Sequence, residues 1–141
     1  RRGHVEMVRV LLAAAAEVDN NDTEAGDTPM FRAATEGHEE VVRMLWAAGA
    51  EVNARTCEDG ATALHAAAHN GHTAVVRVLL EAGALPDVGC ASSGDSPLHA
   101  AAGEGHTEVV RALLEAGAQV DVLCADAGES ALHTAVAAGE A

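Results

Sequence analysis

Eight histidines and three cysteines are the side chains of this 141-residue chain best suited to metal or active-site chemistry. His65 and His69 stand four apart, the spacing at which two imidazoles leave one helix face toward one zinc ion. No cysteine or carboxylate is clearly aimed at that pair, so the ligand set is incomplete and no metal site is expected. Ser92, Ser93 and Ser96 lack a base and an orienting group, so no nucleophile set can be assembled. The chain has no lysine, which excludes a phosphate-binding P-loop lysine and a Schiff base. Its formal charge of −14 opposes a phosphate backbone and an anionic membrane. Neither nucleic acid nor membrane is an expected partner, and no cofactor or catalysis is expected.

The histidines have another explanation, which lies in the elements that carry them. Gly-His stands at Gly3-His4, Gly37-His38, Gly71-His72 and Gly105-His106, a step of 34 residues. His65, His99 and His133 keep the same step, as do Gly26, Gly60, Gly94 and Gly128. Ala48-Gly49-Ala50 recurs at 82–84 and 116–118. Only His69 falls off the register. Each unit reads as a turn, a short helix, a glycine turn, a second helix and an extended connection. Ser96-Pro97 is an N-cap with proline at the first helical position. It opens a helix over 98–102, Gly105 ends it, a second helix runs over 107–115, and residues 120–127 are extended. Helices this short are not stable alone, so neighbouring units must supply their burial. The 33 alanines suit close backbone packing. The longest run of apolar residues, Val10 to Ala16, is seven, far from the roughly 20 a membrane helix needs. Cys90 and Cys124 are equivalent positions in adjacent units. Units spaced like packed helices, about 8–10 Å apart, are too far apart for a disulfide. Free thiols suit a reducing compartment. The expected location is intracellular, in the cytoplasm.

Thr28-Pro29, Thr62-Ala63-Leu64-His65, Ser96-Pro97-Leu98-His99 and Ser130-Ala131-Leu132-His133 resemble the ankyrin-repeat signature. Gly-His, Val-Val-Arg-x-Leu-Leu and Ala-Gly-Ala complete it in the central units. The resemblance implies an all-α solenoid of helix-turn-helix repeats joined by β-hairpin-like loops. It forms a single array: complete repeats at 23–56, 57–90 and 91–124, partial ones at 1–22 and 125–141. The mid-repeat ends point to a segment of a longer chain, monomeric within it. The family also implies that the histidines bridge turns and helix ends. Its function is protein binding on the concave side, built from hairpin tips and first helices. At the tips that surface maps to Glu24, Asp27, Arg55, Glu58, Asp59, Ser92, Ser93, Asp95, Leu123, Asp126 and Glu129. On the first helices it maps to Arg32, Glu36, His69, Asn70 and Glu104. The acidic bias suits a basic or mixed-charge protein partner. The expected function is a non-catalytic interaction scaffold. The alternative is a regulatory arm packing in cis within a larger enzyme or channel.

Some positions depart from the pattern. Phe31 replaces a histidine, so its repeat should lose a polar link and gain apolar area. Ala15 replaces a helix-ending glycine. Pro86 replaces a valine, so the third connection should be irregular. Trp46 occupies a leucine position and is expected to pack in the core. Arg9, Arg43, Arg77 and Arg111 form a ladder. Glu6, Glu40 and Glu108 lie three residues before three of them, and Glu81 and Glu115 four after two of them. A salt-bridged outer face is expected from this spacing.

Overall fold

The computed structural model describes residues 2–14, 16–20 and 26–139. Ala15 and Glu24 lie outside the described residues. Eight helices run in order: α1 Arg2–Ala13, α2 Pro29–Thr35, α3 Glu39–Ala47, α4 Ala63–His69, α5 Thr73–Glu81, α6 Pro97–Gly103, α7 Thr107–Glu115 and α8 Ala131–Gly139. There is no β-strand among the described residues, and the fold is an all-α solenoid. The first helix of a unit, as in α4, has seven residues; the second, as in α5, has nine. The α6 helix exceeds its expected span by a residue at each end, because Pro97 already has helical φ and Gly103 completes the last turn. The helices sort into two layers. One is α2, α4, α6 and α8, each packed on the next, and the other is α1, α3, α5 and α7.

The turns that end α2 to α7 are all closed in the same way. His72 N–H donates to Ala67 O and Gly71 N–H to Ala68 O, the paired bonds of a Schellman motif. Gly71 has φ +73°, a left-handed conformation that strains any residue with a Cβ. The same pair of bonds closes α2 at Gly37-His38 and α6 at Gly105-His106. It also closes α3, α5 and α7 at Ala-Gly-Ala, whose last alanines, Ala50, Ala84 and Ala118, are buried.

The core follows the 34-residue register. Met30, Leu64 and Leu98 are equivalent and buried, as are Leu45, Leu79 and Leu113. Ala33, Ala67 and Ala101 line the buried face of the first-helix layer, and their single methyl groups let adjacent helices come close. Stacking decides burial more than residue type does. Leu98 is 3 % exposed and its equivalent on α8, Leu132, 67 %.

Two expectations fail here. Trp46 is not a core residue. It is 38 % exposed, like its equivalent Leu114 at 40 %, whereas Leu12 and Leu80 at the same repeat position are partly buried against the core, so local packing and not register sets burial here. Pro86 does not disturb its connection, which repeats the turn pattern of the other two. Among the described residues the amides of Val52 and Val120 make no hydrogen bond, so proline loses nothing there. The next position instead fastens adjacent connections together. Asp19 Oδ1 accepts from Glu51 N–H at 2.9 Å, Asn53 Oδ1 from Leu85 N–H at 2.9 Å, and Asp87 Oδ1 from Gln119 N–H at 2.8 Å. Asn53 also donates through Nδ2 to Gly83 O at 3.2 Å.

A Cβ added at Gly71 would lie 2.7 Å from the His106 ring, whereas one added at Gly83, φ +90°, meets nothing within 4 Å. Gly83→Ala should therefore cost only the left-handed backbone strain, about 1 kcal/mol. Gly71→Ala should cost clearly more, because the ring of the next unit must move. Urea unfolding of the two variants checks this, and equal losses would show that the ring yields freely.

Candidate functional site

The histidines are the framework's fasteners. Thr62 N–H donates to His65 Nδ1 at 3.1 Å, so that nitrogen carries the lone pair. The proton is then on Nε2, which donates to Asp95 O at 3.0 Å in the next hairpin. His99 repeats the arrangement, with Ser96 N–H on Nδ1 at 3.3 Å and Nε2 on Glu129 O at 3.0 Å. These residues take the place of the usual glutamate of a capping box. A second set ties backward: Nε2 of His72 donates to Thr35 O at 3.0 Å and that of His106 to His69 O at 2.9 Å. Phe31 has no such ring nitrogen. Thr28 Oγ1 still caps its helix from Phe31 N–H at 3.2 Å, and the ring packs against the core. Burial pushes the His65 pKa down, against the pull of the Asp95 carbonyl.

The His65 and His69 rings, four residues apart, are engaged separately. His65 Nδ1 is taken by Thr62, and no cluster of three or more His, Cys, Asp or Glu could hold a metal among the described residues. His69 has a carboxylate neighbour after all, since its Nδ1 lies 3.8 Å from Glu104 Oε1 across the unit boundary. The pairing is legible only once α4 and α6 are known to be adjacent. All three cysteines are free: Cys57 exposed, Cys90 half-buried, Cys124 buried. Burial raises the Cys90 thiol pKa, but hydrogen bonds from Ser93, Ser92 and the backbone outweigh that and bring it below the usual value.

The arginine ladder pairs differently from its sequence spacing. Arg43 takes Glu39 at 3.1 Å, not Glu40, and reaches Glu81 of the next unit at 3.5 Å. Arg9–Glu6 at 3.4 Å and Arg111–Glu108 at 3.7 Å follow the spacing. Arg77 has no ion pair among the described residues. Exposed pairs of this kind contribute at most about 1 kcal/mol each.

The sequence-mapped surface divides into three parts. Glu58, Ser92, Leu123, Asp126 and Glu129 are exposed on the hairpins, and Arg32 and Glu104 on the first helices. Others hold the loops in shape. Asp59 Oδ1 accepts from Thr56 Oγ1 at 2.6 Å and Ala61 N–H at 3.1 Å, which lowers its pKa despite some burial. Asp95 Oδ2 accepts from Ser93 Oγ at 2.7 Å. Arg55 Nη2 donates to Gly89 O at 2.7 Å, and Asn70 Nδ2 to Ala66 O at 2.9 Å. The half-buried Asp27 lies 3.6 Å from Arg32. Third, a groove of about 400 Å³ across α2, α4 and α6 brings Asp59, His69, Asn70 and Asp95 together with Phe31, Thr35, His65, Ala61, Ala66, Cys90 and Ala100. Glu36 is not part of it and lines a separate depression with His4, His38, Glu39 and Glu40. Sequence reasoning missed the groove's apolar lining. The alanines in it sit on repeat positions and look like framework.

Stacked helix-turn-helix units with glycine-closed turns and histidine-fastened hairpins define a repeat-array protein. A family model of ankyrin repeats in three copies matches residues 1–56, 49–124 and 85–141, which together span the chain. The chain belongs to the ankyrin-repeat family, whose members are generally protein–protein interaction modules. No curated protein matches it in a sequence search. No helix among the described residues is long and apolar enough to cross a membrane.

The lowered pKa of His65 has a consequence for stability. The unfolded imidazole binds its proton near pH 6.5, and the folded one only at lower pH. Stability from this group is fully present above that value and is lost as pH falls through it toward the folded pKa. His65→Gln should flatten the fall in urea midpoint between about pH 7.5 and 5.5. An unchanged slope would assign the fall to other groups.

Proposed function

We propose that this chain is a non-catalytic interaction scaffold that binds a partner protein through its hairpin tips and first helices. The proposed units are 23–56, 57–90 and 91–124, with partial ones at 1–22 and 125–141. The first helices α2, α4, α6 and α8 begin at matching places in that register. The observation that carries the reading is the groove across α2, α4 and α6. It crosses three stacked first helices, and the side chains of its two carboxylates, Asp59 and Asp95, bond only within their own loops. The formal charge of −14 supports a partner surface that is basic or mixed in charge and an association that is faster at low salt. The free thiols support a reducing, cytoplasmic setting.

The test is a matched pull-down from cell extract with the chain and with a variant carrying Glu58→Lys, Glu104→Lys, Asp126→Lys and Glu129→Lys. These four carboxylates are exposed, so the fold should survive. A partner held by the first should bind the second about tenfold more weakly or worse. Equal retention would move the site to the second helices.

A further inference from the structure

The groove across α2, α4 and α6 has a composition that selects its occupant. Ala61, Ala66 and Ala100 are part of its lining and contribute only methyl groups. Phe31 adds an aromatic side chain to the lining at the one unit that lacks the fastening histidine. Two carboxylates complete the lining, and each is anchored through a single oxygen. Asp59 uses Oδ1 for Thr56 and Ala61, and Asp95 uses Oδ2 for Ser93. Among the described residues, Asp59 Oδ2 and Asp95 Oδ1 have no hydrogen-bond partner. Among the described residues neither carboxylate is in an ion pair, and Arg55 donates to the Gly89 carbonyl.

Carboxylates held in place beforehand lose little entropy when a ligand arrives. An apolar lining beside fixed anions suits a side chain with an apolar stem and a cationic head. A planar guanidinium fits best, since it stacks on an aromatic ring and donates to several oxygens at once, which an ammonium does less well.

We infer that this groove is a pocket for one arginine side chain of the partner protein, its stem on Ala66 and Ala100 and its guanidinium shared between Asp59 and Asp95. The inference rests on the scaffold reading and specifies the partner's chemistry.

The test uses short capped peptides, Gly-Ala-Xaa-Ala-Gly with arginine, lysine or glutamine at the centre, titrated into the isotope-labelled chain. The arginine peptide should shift the amide resonances of Ala61, Ala66 and Cys90 saturably and leave Ala112 unmoved. The glutamine peptide should bind about tenfold more weakly, and added salt should weaken the arginine peptide. Asp59→Asn with Asp95→Asn keeps an acceptor oxygen for each internal bond, so the chain should stay folded with only a small fall in melting temperature while arginine binding falls about tenfold. Glutamine binding as well as arginine, or no loss in the Asn variant, would overturn the pocket. Lysine binding as well as arginine would overturn the choice of arginine. In the pull-down, a partner lost on lysine substitution at the tips but kept by the Asn variant would leave the scaffold reading standing without this pocket. A partner kept by both variants would remove both.

Discussion

Helices of seven and nine residues do not form in water unaided, because the first turn fixes several dihedrals in return for a single hydrogen bond. Every unit of this protein therefore depends on its neighbours for burial, and the rest of the structure is arranged around the contact between one unit and the next. The small side chains of Ala33, Ala67 and Ala101 set how closely first helices approach. The left-handed glycines turn the chain back within one unit, so that equivalent surfaces recur in phase. The histidines then connect what has been brought together, forward through His65 and His99 and backward through His72 and His106.

This division of labour explains why so little of the polar chemistry is free. A chain with eight histidines and 22 acidic residues could in principle assemble a metal site. Here the imidazole nitrogens that face backbone amides and carbonyls are already committed, and a committed lone pair binds nothing else. The two carboxylates in the groove lining, Asp59 and Asp95, are likewise half-committed to their own loops. What is left to a partner is one oxygen on each, together with an apolar lining that the repeat leaves open.

The sequence carried the fold almost in full, because helix, turn and hairpin each leave a residue type at a fixed phase. Gly71, Ser96 and Leu79 could be assigned a role from their register alone. Trp46 could not, since its register says core while its exposure depends on local packing. The partner of Arg43 could not either. Two glutamates lie within reach along its own helix, and a third approaches from a helix 38 positions away. The candidate surface was legible as a set of variable positions but not as a shape. Nothing local to residues 59, 69 and 95 says that they share one groove, or that residue 36 faces another.

The row of side chains at Asp19, Asn53 and Asp87 bears on the mechanics of the array. Asp19 and Asp87 can only accept, so each clasps its junction once. Asn53 accepts from Leu85 and donates to Gly83, so the junction between them is clasped twice. The row of clasps is therefore uneven along the array: the central link holds by one accepted and one donated bond, and its two neighbours by an accepted bond alone.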